Sequence, residues 1–207
     1  ILGRNHYLLE SIAEFLDYQG ILFKYRGEKD IKTTNKGTAV FTLQALQQNK
    51  KVTAEALATT VDLIHSRPYL AWGTQKAIRA LGHESPMSEI SLADLKTYFK
   101  PDLLKLIAEG QFIEPLKEVG DRERARLRTL LRNGSGDSRI TLSTIHGVKG
   151  MEAEHVILLS DMSGRTYQGM LADPEAERRV QYVAVTRAKE TLSVIAPTRG
   201  YYYRIPI

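Results

Sequence analysis

No cysteine occurs in the 207 residues, so disulfides and cysteine-ligated zinc or iron–sulfur centres are excluded. A cysteine-free chain fits a reducing cytoplasm, the localisation expected here. No apolar run approaches the roughly 18 residues that a membrane-spanning helix needs, no signal-peptide pattern opens the chain, and no membrane partner is expected. Also lacking is any Gly-x-x-x-x-Gly-Lys-Ser/Thr, the loop whose backbone N–H groups cradle nucleotide phosphates. Nor is there a tail of one charge sign. Residues 1–32 hold five basic and five acidic groups, 33–138 hold 15 and 12, and 139–207 hold nine and seven. The first residue is Ile1 rather than Met, inside a strand-like run, and the chain is expected to be a piece of something longer.

What is there is ordinary for a globular protein: 43% hydrophobic and 26% charged residues, enough to bury a sizeable core. The net charge of +5 and pI near 9.3 suit a polyanionic partner, and equally suit solubility alone.

Periodicity divides the chain into three stretches. Ile1-Leu2 reads as a strand end. Leu8, Leu9, Ile12, Phe15 and Leu16 have helical spacing over Tyr7–Tyr18, Gly20 stops that helix, and Ile21–Tyr25 reads as a strand. From about 33 to 136 the pattern is helical, with segments at Thr38–Asn49, Thr53–His65, Tyr69–Leu81, Leu92–Phe99, Asp102–Glu109 and Asp121–Arg132. Ser91 with Asp94 three residues on gives the fourth of these segments a capping-box start. Pro68, Pro86, Pro101 and Pro115 fall between segments. The reading is an all-helical insert, closed by a turn or hinge at Gly134-Ser135-Gly136-Asp137. Strands then follow at Arg139–Thr144, Val156–Ser160 and Thr191–Ile195, with a helix at Glu175–Lys189 behind Pro174. Continuous Val/Ile/Leu strands alternating with helices predict an α/β fold: a parallel sheet covered on both faces.

Two stretches carry chemistry. Thr144-Ile-His-Gly-Val-Lys-Gly-Met-Glu152 joins two of the predicted strands, and ligands in such sheets sit at the carboxyl ends of strands. Gly147 and Gly150 allow close backbone approach, Lys149 offers a cation, and Glu152 an acceptor suited to a ribose hydroxyl. His146 offers a donor and a flat ring. A plain glycine turn with solvated Lys149 and Glu152 accounts for the same residues. In the second stretch Val180, Val183, Ala184 and Arg187 share a helical face. An arginine on an apolar stripe needs an anionic partner. Either Glu177 or Asp161 supplies it as a structural ion pair, or Arg187 is an arginine finger on a γ-phosphate.

Thr144-x-His146-x-x-Lys149-Gly150-x-Glu152, then Glu177-Arg178-Arg179-x-x-Tyr182-Val183-Ala184-x-Thr186-Arg187-Ala188-Lys189, resemble the last two motifs of the superfamily 1 DNA helicases of the UvrD/Rep/PcrA kind. Leu2-Gly3-Arg4-Asn5 with the helix containing Glu14 is similar to the opening of that family's second RecA-like domain, into which a helical subdomain is inserted. The resemblance implies a RecA-like α/β domain at 1–32 and 138–207 and a helical insert subdomain at 33–137. It implies that Arg187 is the catalytic arginine finger, that Gly150 and Glu152 line the ATP side with it, and that Thr144 and His146 meet single-stranded DNA while Lys149 couples the two sides. Thr186 and Tyr182 would support the helix aiming Arg187, with Tyr182 expected in the core. Two positions depart from the family: Ala153 stands where an aromatic is usual, and Leu9-Glu10 where a Ser-Arg pair is usual.

The function so implied is the C-terminal motor portion of an ATP-dependent, 3′-to-5′ DNA helicase. ATP and Mg²⁺ would be held mainly by an N-terminal RecA-like domain, the chain's expected partner beside single-stranded DNA. No metal ligand is expected in the chain itself, which alone is expected to be inactive. The alternative is a non-catalytic DNA- or protein-docking module of a repair or recombination complex.

Overall fold

Local signals set most of the elements. The computed structural model describes residues 1–134, 138–198 and 200–205. The chain runs β1 (Leu2–Gly3), α1 (His6–Gln19), β2 (Phe23–Tyr25), α2 (Asn35–Gln47), β3 (Val52–Thr53), α3 (Ala54–Leu63), α4 (Ser66–Tyr69) and α5 (Thr74–Glu84). It continues with β4 (Glu89–Ile90), α6 (Pro101–Ala108), α7 (Asp121–Asn133), β5 (Ile140–Thr144), β6 (Ala153–Leu159), α8 (Gly164–Ala172), α9 (Pro174–Val185) and β7 (Ala188–Ile195). Short 3-10 turns lie at Ile31–Thr33, Ala93–Leu95 and His146–Val148. These elements form two compact units, Ile1–Glu28 with Ser138–Ile207, and Lys29–Asp137.

In the first unit, five parallel strands lie in the order β2-β5-β1-β6-β7. On one face α1 lays Ala13 and Leu16 over Phe23 and Leu142. On the other, Ala184 of α9 packs with Leu2, Val156 and Leu158, joined by Ile145 and Val148 from the β5–β6 connection. This is the α/β, RecA-like architecture expected from the strand–helix alternation. The coverage is less complete than expected, because Ile157 and Ile195 point away from α9 and remain exposed.

The helix ends follow their caps. Gly20 takes the left-handed conformation (φ 67°) that closes α1. Ser163 caps α8, and Asp173 with Pro174 behind it caps α9. Helix α8 was not expected, and none of its residues is buried. With two glycines and no apolar stripe, it has no periodic signature.

In the second unit, α2, α3, α6 and α7 bury Val40, Leu43, Leu57, Val61, Leu103, Ile107, Leu127 and Leu130. It is not all helix: β3 and β4 pair antiparallel. The helix expected at Tyr69–Leu81 starts only at Thr74, after Gly73 at φ 82°. The one expected at Leu92–Phe99 is only a 3-10 turn, because Phe99 bridges to Leu70 and Tyr98 O accepts from Ala71 N–H at 2.9 Å. Of the hinge read at Gly134–Asp137, residues 135–137 lie outside the described residues.

Candidate functional site

The connection from β5 to β6 runs between opposite edges of the sheet. Strand β1 separates the two strands, and Leu2 is level with both Ser143 and Leu158. Ala153 opens β6 five residues before Leu158, about 16 Å back along the strand direction at the usual rise per residue. Residues 145–152 therefore start at the carboxyl edge and return under the sheet to the amino edge. Ile145 and Val148 are buried against the sheet on the way, which anchors the connection. The expected ligand position at the carboxyl ends of the strands thus holds only for the start of the connection.

At the carboxyl edge, the Thr144 hydroxyl accepts from the Gly147 N–H at 3.2 Å and keeps a hydrogen to donate. A Cβ at Gly147 would lie 2.6 Å from Ser143 Oγ, so a larger residue there would force the Ser143 side chain to shift. His146 is exposed and borders a cleft of about 430 Å³, together with Arg4, Arg165, Thr166 and Glu177. Arg4 grips the buried carboxylate of Glu177 from Nε (2.9 and 3.1 Å) and from its terminal nitrogen (3.0 Å). Gln181 Nε2 adds a further bond at 2.8 Å. Asn5 accepts from Ser163 N–H at 2.9 Å and donates to Thr166 Oγ1 at 3.1 Å, which ties α8 to the end of β1.

At the amino edge the two motifs meet. The Arg187 guanidinium donates to Val183 O (2.9 Å), Met151 O (2.8 Å) and Thr186 Oγ1 (3.0 Å). The Ala153 N–H donates to Arg187 O at 2.9 Å. Gly150 has φ 77°, a left-handed turn that a Cβ would strain. Glu152 is exposed, 3.4 Å from Lys189, a surface pair worth under about 1 kcal/mol. Lys149 is exposed between the two edges. Among the described residues no group of His, Asp and Glu is arranged to hold a metal ion.

Three expectations are corrected. Helix α9 stops at Val185 instead of running to Lys189, because Thr186 Oγ1 bonds back to Tyr182 O and Val183 O and the β7 ladder begins at once. Arg187 is therefore on the exit turn. Its ion-pair alternative is not realised with Glu177, which Arg4 occupies, nor with Asp161, whose carboxylate accepts from Thr198 N–H. Tyr182 is 68% exposed rather than in the core. The Arg4 and Arg165 positions escaped the sequence reading. Arg4 sits in the quoted opening Leu2-Gly3-Arg4-Asn5, but its partner is remote, and Arg165 lies on the unpredicted α8.

Residues 108–199 match the UvrD-like helicase C-terminal domain. The chain is 28% identical over 191 residues to YjcD of Bacillus subtilis (strain 168), a provisionally named ATP-dependent DNA helicase, covering 78% of this chain and 25% of YjcD. It is 25% identical over 148 residues to the ATP-dependent DNA helicase Rep of Escherichia coli (strain K12), covering 67% of this chain and 21% of Rep. The chain thus spans about a quarter or less of the length of these relatives. The resemblance read from the two motifs is borne out over the C-terminal region.

Proposed function

We propose, from the UvrD-like helicase C-terminal domain that residues 108–199 match, that the chain is the second motor domain of an ATP-dependent DNA helicase. The single observation carrying this reading is the meeting of Arg187 with the Met151 carbonyl. It joins the helix-exit motif to the connection that reaches the opposite sheet edge at Thr144 and His146. All three Arg187 bonds go to uncharged oxygens. Among the described residues no carboxylate neutralises the guanidinium, which leaves its charge for an anion such as the γ-phosphate. Gly150 and Glu152 lie on this nucleotide side. Thr144 and His146, with Lys149 between the edges, lie on the single-stranded DNA side. The connection couples the two, because Ile145 and Val148 anchor it in the core beneath the sheet.

The phosphate loop is absent from the sequence, so an N-terminal RecA-like domain supplies the cradle for ATP and Mg²⁺. Translocation is 3′ to 5′ and the protein works in the cytoplasm. By itself this chain hydrolyses no ATP.

The test is Arg187→Ala in the intact protein. Loss of a finger of this kind costs on the order of 10³- to 10⁵-fold in hydrolysis rate, with single-strand binding retained. Turnover equal to the unchanged protein would overturn the assignment and favour a docking module.

A further inference from the structure

We propose that the helical unit carries its own grip for single-stranded DNA, built on Trp72. This is the chain's single tryptophan, and it is wholly exposed, at 101% of its reference area. A large apolar ring in water forgoes the stabilisation that burial gives. The backbone holding it is fixed on both sides. Leu70 is buried and bridged to Phe99, the Ala71 N–H donates to Tyr98 O at 2.9 Å, and the buried Thr74 donates its hydroxyl to the same oxygen at 3.1 Å. The turn therefore presents the indole on a rigid mount.

Trp72 borders a cleft of about 750 Å³ that Arg67, Lys76, Arg79 and Lys100 also line, with no acidic residue in its wall. Arg79 is committed to Asp62 at 2.6 Å. Arg67, Lys76 and Lys100 are exposed, and among the described residues no carboxylate pairs with them. Three free cations around a planar ring match a ligand with alternating phosphates and flat faces. Base–aromatic stacking needs an unpaired base, since a duplex hides its base faces, so a single strand fits and a duplex does not. An acidic peptide would satisfy the cations but would give the indole no planar partner. The proposal stands on this unit's surface alone and does not require the motor reading.

Because Trp72 is the only tryptophan, its fluorescence reports the contact directly. Titrating the chain with oligodeoxythymidylate is expected to quench the emission to saturation, while a blunt duplex leaves it unchanged. Trp72→Ala is expected to bind the labelled strand on the order of tenfold more weakly, within the range seen for single stacked bases, with Trp72→Phe in between. Its far-UV circular dichroism is expected to stay unchanged, since the side chain touches solvent. Lys76→Glu and Lys100→Glu are each expected to reduce the salt slope of binding by about 0.7, the increment for one single-strand phosphate neutralised. The quenching reports the surroundings of Trp72, whereas the motor reading is tested by ATP hydrolysis in the intact protein, so failure of the motor reading is distinguishable from failure of this one. Absence of quenching by the strand, equal quenching by the duplex, or quenching by polyglutamate alone would each overturn the proposal.

Discussion

Arg4 and Glu177 are 173 residues apart in sequence and meet in a two-pronged ion pair at 2.9 to 3.1 Å, with the carboxylate only 4% exposed. Arg4 follows the carboxyl end of β1, and Glu177 lies in the first turn of α9. The pair pins the helix whose far end delivers Arg187. Its planar fork suits a carboxylate in a way that a lysine ammonium does not.

Removing one partner should expose the cost of the other. Arg4→Ala leaves a buried, uncompensated carboxylate, and about 3–5 kcal/mol of stability is expected to go. Replacing both, as Arg4→Met with Glu177→Leu, is expected to cost less than the single change. Denaturant unfolding monitored in the sheet unit checks both, and a single variant as stable as the parent would refute the coupling.

Gly147 is held by space and not by its torsion angles. Gly147→Ala places a Cβ 2.6 Å from Ser143 Oγ, an overpacking expected to cost about 1–3 kcal/mol. Removing the obstruction with Ser143→Ala in the same chain should recover most of that loss. A double variant no better than Gly147→Ala would place the strain elsewhere.

Tyr182 should be dispensable to the fold. Its 68% exposure predicts that Tyr182→Ala shifts stability by no more than about 0.5 kcal/mol. Thermal melting decides it, and a loss of several degrees would show that the ring packs after all.

Asp94 gives a pH signature to the helical unit. Ser91 donates to its carboxylate from the hydroxyl at 2.6 Å and from the backbone N–H at 2.9 Å, holding the carboxyl below its ordinary range. A carboxyl pKa depressed in the folded state contributes stability above the unfolded value, which is lost as pH falls through the folded one. Ser91→Ala removes the larger influence, so the Asp94 midpoint is expected to rise toward the ordinary aspartate value in a carboxyl NMR titration. An unmoved midpoint would assign the depression to the backbone bond alone.

Much of the architecture was legible because its causes are local. Glycine at the end of α1, Pro174 at the start of α9 and Val/Ile/Leu runs at the strands act within a few residues of themselves. Helix α8 was not legible, because its face is unburied and selects no apolar stripe. The end of α9 departs from its periodicity for a related reason. Val183, Ala184 and Arg187 keep helical spacing, but Thr186 bonding back to Tyr182 O and the pull of the β7 ladder terminate the helix.

The motif residues could be picked out from the sequence because their types and spacing carry chemistry without reference to the rest of the chain. Their grouping could not. That Thr144 and Glu152 lie toward opposite edges of the sheet follows from β5 and β6 both running parallel to β1, which lies between them. That Glu177 is claimed by Arg4, leaving Arg187 to main-chain oxygens and a hydroxyl, follows from packing across 173 residues. By itself the sequence determined the strand–helix order and the chemical inventory. Which groups neutralise one another, and which keep a charge free, was decided by the tertiary structure, because pairing between distant residues leaves no periodic trace in the chain.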